Sequence, residues 1–374
     1  MRGKMNVYLD NAAIARPDQD NLAYTADKLR HNWHNPNSVY ENGADSRHLI
    51  EEAKLVISKE INCSPEEIIF CSCGSEANAL AAVGYLRGNH RTSFVTSTIE
   101  HGSILENPYA EKKITVDQEG TFHLADIGRI HHSLVSLQTA NSEIGTIQDI
   151  KGIAKLLHAN DCIIHTDAVA AFGKIKIDVK DLDIDMMTAT GQKIGGITGA
   201  SFLYKKKSIK LEPIIYGHNT LRGGTPNTAA IASLGEAVAK LRYSPASSAN
   251  RDYVYGYIMA HIPGCYLVGP SIESGNRLPH NLYLCFRGVE GQSLMILLDM
   301  DGIQVSTGSA CSSRSPSPSA VLTSIGMKEP DIYSCIRMTF SGKETKEELD
   351  HVCKTMKQCV ETLRALTSRE EVTL

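Results

Sequence analysis

Between residues 66 and 205 short β-branched runs return seven times, as "EIIF", "TSFVTS", "KKITV", "SLVSLQ", "CIIHT", "DMMTAT" and "ASFLY". Helical or loop segments separate them. The clearest helix is "IQDIKGIAKLLHAN", where Ile150, Ile153, Ala154, Leu157 and His158 recur at helical spacing and Asn160 stops the run. Strands that alternate with helices build a mostly parallel sheet covered on both faces. In such sheets ligands sit beyond the carboxyl ends of the strands. The residues that follow each run are therefore the ones to question.

Near residue 225 the pattern changes. "TPNTAAIASLGEAVAKLR" predicts a helix beginning after Pro226, and "RDYVYGYIMAHI" continues helical. Strand patterns follow at "GCYLVG", "HNLYLCF" and "GIQVST", with a helix at "EGQSLMILLDM" between the last two. The final helix opens with Thr345 and Glu348 as a capping box, then places Leu349, Val352, Met356, Val360 and Leu363 on one face. A chain of 374 residues exceeds one compact core. The expected division is a large α/β domain over residues 16–245 and a smaller α+β domain formed by 1–15 and 246–374.

The bulk composition mainly excludes. A net charge of -4 gives no reason to expect nucleic acid, and "YKKKSIK" at 204–210 is too short and unpatterned to be more than a solvated loop after a strand. No apolar stretch reaches the roughly 20 residues of a membrane span, and "MRGKMNVYLD" lacks the apolar segment of a signal peptide. The 10 cysteines show no paired C-x-x-C spacing of a zinc site, and most lie in apolar runs, as Cys162 and Cys285 do. These features fit a reducing, cytoplasmic setting without a metal centre.

Asp167 ends one of the buried runs, in "IIHTDAVAAFGK". A carboxylate there is costly to desolvate unless something cationic or protonated meets it. Lys193, in "TATGQKIGG", sits between a strand and a Gly-rich turn. A lone lysine is usually a surface side chain, and a lone aspartate usually a cap or turn former. Together they match what pyridoxal phosphate (PLP) requires: an amine for its aldehyde and an acid beside its ring nitrogen. "IIFCSCGSEANALAAVGYL" runs from a strand into Gly74, Ser75 and a helix, an anion cradle that a plain capped helix explains about as well. His101 in "TSTIEHGSILE" and Asn141 in "QTANSEIG" hold corresponding places after two further strands.

These residues, with "VYLDNAA", "NPNSVYENG", "RGGTPN", "STGSACSS" and "CIRMTF", resemble the class V group of fold-type I PLP enzymes, and specifically the cysteine desulfurases of iron–sulfur cluster assembly and tRNA thiolation. The resemblance covers nearly the whole chain. It implies a seven-stranded large domain and a small domain carrying a catalytic-cysteine loop. It implies that Lys193 binds the cofactor's aldehyde, Asp167 partners the ring nitrogen, His101 stacks on the ring and Val169 packs beneath it. Gly74, Ser75, Thr190 and Gln192 match cofactor contacts near the phosphate, and Thr225 matches a contact lent by the second subunit of a homodimer. Asn141, Ala13 and Arg337 match substrate-binding positions, Arg337 clamping the α-carboxylate with a planar fork.

Cys311, in the small, polar, Pro-punctuated "STGSACSSRSPSPSAVL", matches the nucleophile. The activity so implied converts L-cysteine to L-alanine, leaves a persulfide on Cys311 and passes the sulfur to a scaffold or thiolation protein. Three residues depart from the family pattern: Ala170 where Gln is usual, Gln192 where His is usual and Tyr40 where His is usual. They leave open a selenocysteine lyase, another C–S lyase, or a degenerate partner protein without turnover.

Overall fold

The apolar runs between residues 66 and 205 become one seven-stranded sheet. The computed structural model describes residues 5–89, 92–217, 220–308 and 318–370, with side chains of the final helix described to residue 366. The strands, in chain order, are β1 (Val7–Tyr8), β2 (Ile68–Cys71), β3 (Ser93–Ser97), β4 (Ala110–Ile114), β5 (Ser133–Ser136), β6 (Ile163–Asp167), β7 (Met186–Thr190), β8 (Ser201–Lys205), β9 (Cys265–Leu267), β10 (Asn281–Phe286), β11 (Ile303–Gln304) and β12 (Cys335–Thr339). The large sheet has the order β2-β8-β7-β6-β5-β3-β4. Only β8 runs against its neighbours. The middle strands β5 and β7 are buried along their whole length, as their unbroken apolar and small-polar character demands. β4 lies at an edge and exposes Glu111, Lys112 and Lys113, charges that discourage pairing with another sheet.

Helices cover both faces. The 150s helix spans Ile150–His158 and is capped by Asp149, whose side chain accepts from the Gly152 N–H. The helix Thr228–Ala239 starts just after Pro226, as its pattern predicts. It crosses the helix Glu41–Ile61 so closely that a Cβ on Gly235 would come within 3.0 Å of Ala53.

A three-stranded antiparallel sheet, β12-β10-β9, separates two cores. Alternate residues point to opposite faces of a strand. Tyr283, Cys285 and Cys335 join the core under the large sheet. Leu282, Leu284, Phe286, Ile336 and Met338 join a second core with Leu294, Val352 and Met356. The final helix carries the expected reciprocal cap: Thr345 N–H donates to Glu348 at 2.7 Å and Glu348 N–H to Thr345 at 3.2 Å. The predicted "GIQVST" strand is only two residues long and pairs in parallel with β1.

The basic run at 204–210 leaves β8 as an exposed loop, as expected, with one more committed member. It begins inside β8, and Lys206 bonds both Asp183 and Asp185 while Lys207 pairs with Glu66. His158 donates to the same two aspartates through its two ring nitrogens, so an ion-pair cluster anchors the start of this loop. Among the described residues no helix is long and apolar enough to cross a membrane, and no group of His, Cys, Asp and Glu could hold a metal ion.

Candidate active site

The carboxyl ends of β3, β5, β6 and β7 carry His101, Asn141, Asp167 and Thr190 in the turns that follow or at the last strand residue. Asp167 closes β6 and is 7% exposed. One of its oxygens accepts from the Asn78 side-chain amide at 2.8 Å, the other from Val169 N–H at 2.9 Å. On the protein side this acid is thus met by two neutral donors. Asn78 also donates to Ser103 Oγ at 2.9 Å, and Ser103 bonds His101 Nδ1 through both its hydroxyl and its N–H. Because a backbone N–H donates to Nδ1, the neutral His101 ring carries its proton on Nε2. A continuous chain of hydrogen bonds therefore joins Asp167 to His101.

Lys193 ends the short turn Gly191–Lys193 after β7. Its Nζ donates to the carbonyls of Ala12 and Ala13, the latter at 2.7 Å. Next to it the half-buried Gln192 accepts Ala15 N–H through its carbonyl at 2.9 Å. The N-terminal segment thus lies over the lysine turn. Thr190, 2% exposed, accepts from Ser201 Oγ at 2.8 Å.

Gly74 opens the helix Gly74–Gly88, with exposed Ser75 beside it. A Cβ at Gly74 would lie 3.2 Å from Val169 Cγ2 and 3.9 Å from Thr188 Cγ2. The helix start and the residue after Asp167 therefore meet at this end of the sheet, and a side chain at 74 would press into the space between them.

Arg337, 2% exposed, is the largest fully buried side chain. One Nη donates to Asp10 at 2.8 Å and the other to Ser142 O at 3.1 Å, while its buried Nε has no partner among the described residues. Asn141 is equally committed. Its oxygen accepts from Glu143 N–H and Ile144 N–H, and one amide hydrogen goes to Ile99 O at 3.2 Å. The second amide hydrogen is not used by any of these bonds.

Two buried groups behind the site titrate unusually. Glu100, beside His101, accepts from Ser97 Oγ and from Gln138 N–H, and burial pushes its carboxyl up to about 8. His165 lies on the same face of β6 as Asp167, bonded to Ser136 on β5 and Thr188 on β7, and burial pulls it down to about 4. A neutral imidazole and a protonated carboxyl thus line the site's floor at neutral pH.

The residues fit PLP. Buried Asn78 Oδ1 and Arg337 Nε are polar atoms without partners among the described residues. Such atoms are costly to leave unpaired unless a ligand or solvent satisfies them. The donor set combines an amine, an aspartate held by neutral donors, a helix start and a guanidinium. Thr225 lies apart: it is exposed, on the wall of a cavity of about 350 Å³ shared with Cys71, Ser72, Gly199 and Arg222. Cys311 lies outside the described residues. Ala170 is half-buried against the main core, and Tyr40 is 53% exposed at the start of the helix Glu41–Ile61.

Sequence reasoning missed Asn78, Ser103, Glu100 and Asp10. One signal was readable. Asn78 stands among Ala77, Leu80 and Ala81, so a buried helix face carries one amide that must find a partner.

The model of the family described as Aminotransferase class-V matches residues 7–352. A cysteine desulfurase IscS from Dictyoglomus turgidum is 34% identical over 97% of this chain and 97% of its own length. A cysteine desulfurase NifS from Azotobacter vinelandii is 30% identical over 96% of this chain and 94% of its own. A solved NifS-like protein superposes with a TM-score of 0.88 at 27% identity, covering 96% of this chain and all of that one. Fold, order of motifs and full-length similarity agree: the chain belongs to the class-V aminotransferase family.

Proposed function

We propose that this chain is a PLP-dependent cysteine desulfurase. One observation carries the reading. Arg337 and Ser306 exchange backbone hydrogen bonds, N–H to carbonyl at 2.6 and 3.1 Å. Arg337 is buried with an unpaired Nε, suited to a substrate carboxylate. Ser306 stands five residues before Cys311. The same strand step therefore roots both the carboxylate clamp and the segment that bears the nucleophile.

Lys193, Asp167, His101, Asn141, Val169, Gly74, Ser75, Thr190 and Gln192 would hold PLP. When bound, the cofactor supplies an aldehyde for an amine and an electron-accepting ring. Asp167, fixed by Asn78 and Val169 N–H, holds a proton at the ring nitrogen. Lys193, between the Ala12 and Ala13 carbonyls and the cofactor, moves the Cα proton of L-cysteine. Arg337 and the second amide hydrogen of Asn141 orient the substrate carboxylate. The Cys311 thiolate takes the substrate sulfur, so a persulfide forms on the protein and L-alanine leaves. An acceptor protein then receives that sulfur.

Thr225 belongs in this reading to the phosphate site of a partner subunit in a homodimer, and the 16–245 and 1–15 plus 246–374 segments to the two domains. A reducing cytoplasm suits nine described cysteines that are all free thiols. The test is purified holoenzyme given L-cysteine and a reductant. Equimolar alanine and sulfide is the expected result, and without the reductant a persulfide on Cys311 by mass spectrometry. Alanine formation undiminished in Cys311→Ser would overturn the persulfide route and favour a lyase.

A further inference from the structure

β10 and β12 place Cys285 opposite Cys335, the last register pair at that end of the ladder. Along β12 the N–H groups of Arg337 and Thr339 point away from β10, to Ser306 and Leu9. By alternation Cys335 also turns its backbone outward, so it and Cys285 form a pair without mutual backbone hydrogen bonds. Such pairs bring Cα atoms to about 4.5 Å, within the roughly 4.4–6.8 Å that a disulfide spans. Both sulfurs also converge on one atom. Cys335 Sγ donates to Asp331 O at 3.2 Å and Cys285 Sγ to the same oxygen at 3.6 Å.

We propose that Cys285 and Cys335 are an oxidative modification site, a dithiol that hydrogen peroxide converts into a cross-strand disulfide. Cys285 attacks first. The neighbouring Cys335 thiol and Tyr266 hydroxyl, each able to turn its proton to a Cys285 thiolate, pull that thiol down, while the same contact and burial push Cys335 up. The Cys285 thiolate breaks the O–O bond, forming a sulfenic acid and releasing one water. Cys335 sulfur then displaces the hydroxyl, which leaves as a second water with the Cys335 proton. Two thiols lose two electrons, peroxide gains two, and a thiol reductant reverses the change. Both side chains are at most 1% exposed. Access requires local opening of this end, which breaks Phe286 N–H to Ser334 O and, beyond it, Gly291 N–H to Tyr333 O; the Arg287 side chain there is 64% exposed.

The next opposed pair on the same face is Tyr283 with Arg337. Tyr283 hydroxyl donates to Thr307 O at 2.9 Å, and Arg337 holds Asp10 and Ser142. A disulfide draws Cβ atoms from about 4.5–5.5 Å to about 3.8 Å. That contraction, of order 1 Å, acts two residues along the ladder from the carboxylate clamp and weakens its hold on substrate. This consequence rests on the desulfurase reading; the cross-link does not.

The experiment treats holoenzyme carrying Cys311→Ser, which removes the reactive thiol, with graded hydrogen peroxide. Remaining thiols are blocked with N-ethylmaleimide and the protein is digested without reductant for mass spectrometry. The expected result is a Cys285–Cys335 linked peptide that dithiothreitol abolishes and that Cys285→Ser or Cys335→Ser prevents. Binding of L-alanine, which has the substrate's carboxylate and amine but no thiol to reduce the cross-link, followed by the cofactor's visible absorbance, should weaken at least ~10-fold on oxidation, a misplacement effect of the expected order. It should be unmoved by peroxide in Cys335→Ser. Absence of the linked peptide at doses that oxidise exposed Cys73, with the far-ultraviolet dichroism intact, overturns the site. A linked peptide with unchanged L-alanine binding overturns the coupling to Arg337. Failure of the desulfurase reading leaves the mass result readable, so the two are told apart.

Discussion

Replacing Arg337 by Lys keeps the positive charge and removes the fork. The guanidinium now spends one Nη on Asp10 at 2.8 Å and the other on Ser142 O at 3.1 Å, and keeps Nε for a ligand. An ammonium gathers its three donors at one point and cannot serve Asp10, Ser142 and a carboxylate together. Its charge still compensates Asp10, so the fold survives. What is lost is one charge-assisted hydrogen bond to substrate, about 1.5–3 kcal/mol, or roughly 10- to 150-fold in kcat/KM. A substrate carboxylate has the same charge in the ground and transition states, so the loss should fall on KM with kcat little changed.

The assay is alanine formation from L-cysteine across a concentration series. Beside it runs binding of 2-aminoethanethiol, which lacks the carboxylate, read from the cofactor absorbance. Wild type should prefer L-cysteine strongly, and Arg337→Lys should discriminate little. A folded, cofactor-loaded variant whose KM for L-cysteine stays within twofold of wild type would refute the clamp.

Asn78→Ala removes the amide donor to Asp167 and should weaken PLP retention by roughly 10- to 100-fold, since a hydrogen bond to a charged group is worth about 1.5–3 kcal/mol; equilibrium dialysis reading unchanged retention would count against it. Glu100 has a folded value near 8, above its unfolded one, so the folded state binds the extra proton and loses stability as pH rises between those values. Glu100→Gln should therefore gain on wild type by about 1.4 kcal/mol per pH unit between roughly pH 5 and 8; urea melts of the apoprotein showing a pH-independent difference would defeat this. His158 is raised first by its bond to Asp185, so its contribution is full below its unfolded value and fades as pH rises through the folded one. His158→Ala should cost about 1 kcal/mol near pH 6 and less near pH 9, and equal melting losses at both would show the ion pairs idle.

The sheet was legible because β-branched runs such as "CIIHT" and "SLVSLQ" leave no other way to bury their backbone polar groups, and all seven became strands. Asp167 and Lys193 were legible as oddities, a charge ending a buried strand and an amine among glycines. Their hydrogen-bond partners were not. Asn78 meets Asp167 across 89 positions, and Asp10 meets Arg337 across 327. No periodicity encodes contacts at such separations, which exist only once two elements pack. Within the basic run at 204–210 the loop was legible, but the ion pairs of Lys206 were not, for the same reason. Lys206 is surface-like in sequence, but Asp183 and Asp185 come to it from the turn before β7 and the residue preceding that strand.

Val7 finds its strand partner at Ile303, and the carbonyls just beyond β1 cradle the amine of residue 193. On a ribosome adding about 5–20 residues per second, the first strand waits some tens of seconds for its mate. Until then the lysine lacks its cradle. Settling of the N-terminal segment over Lys193 is thus a late step, and fragments truncated before residue 303 should lack it.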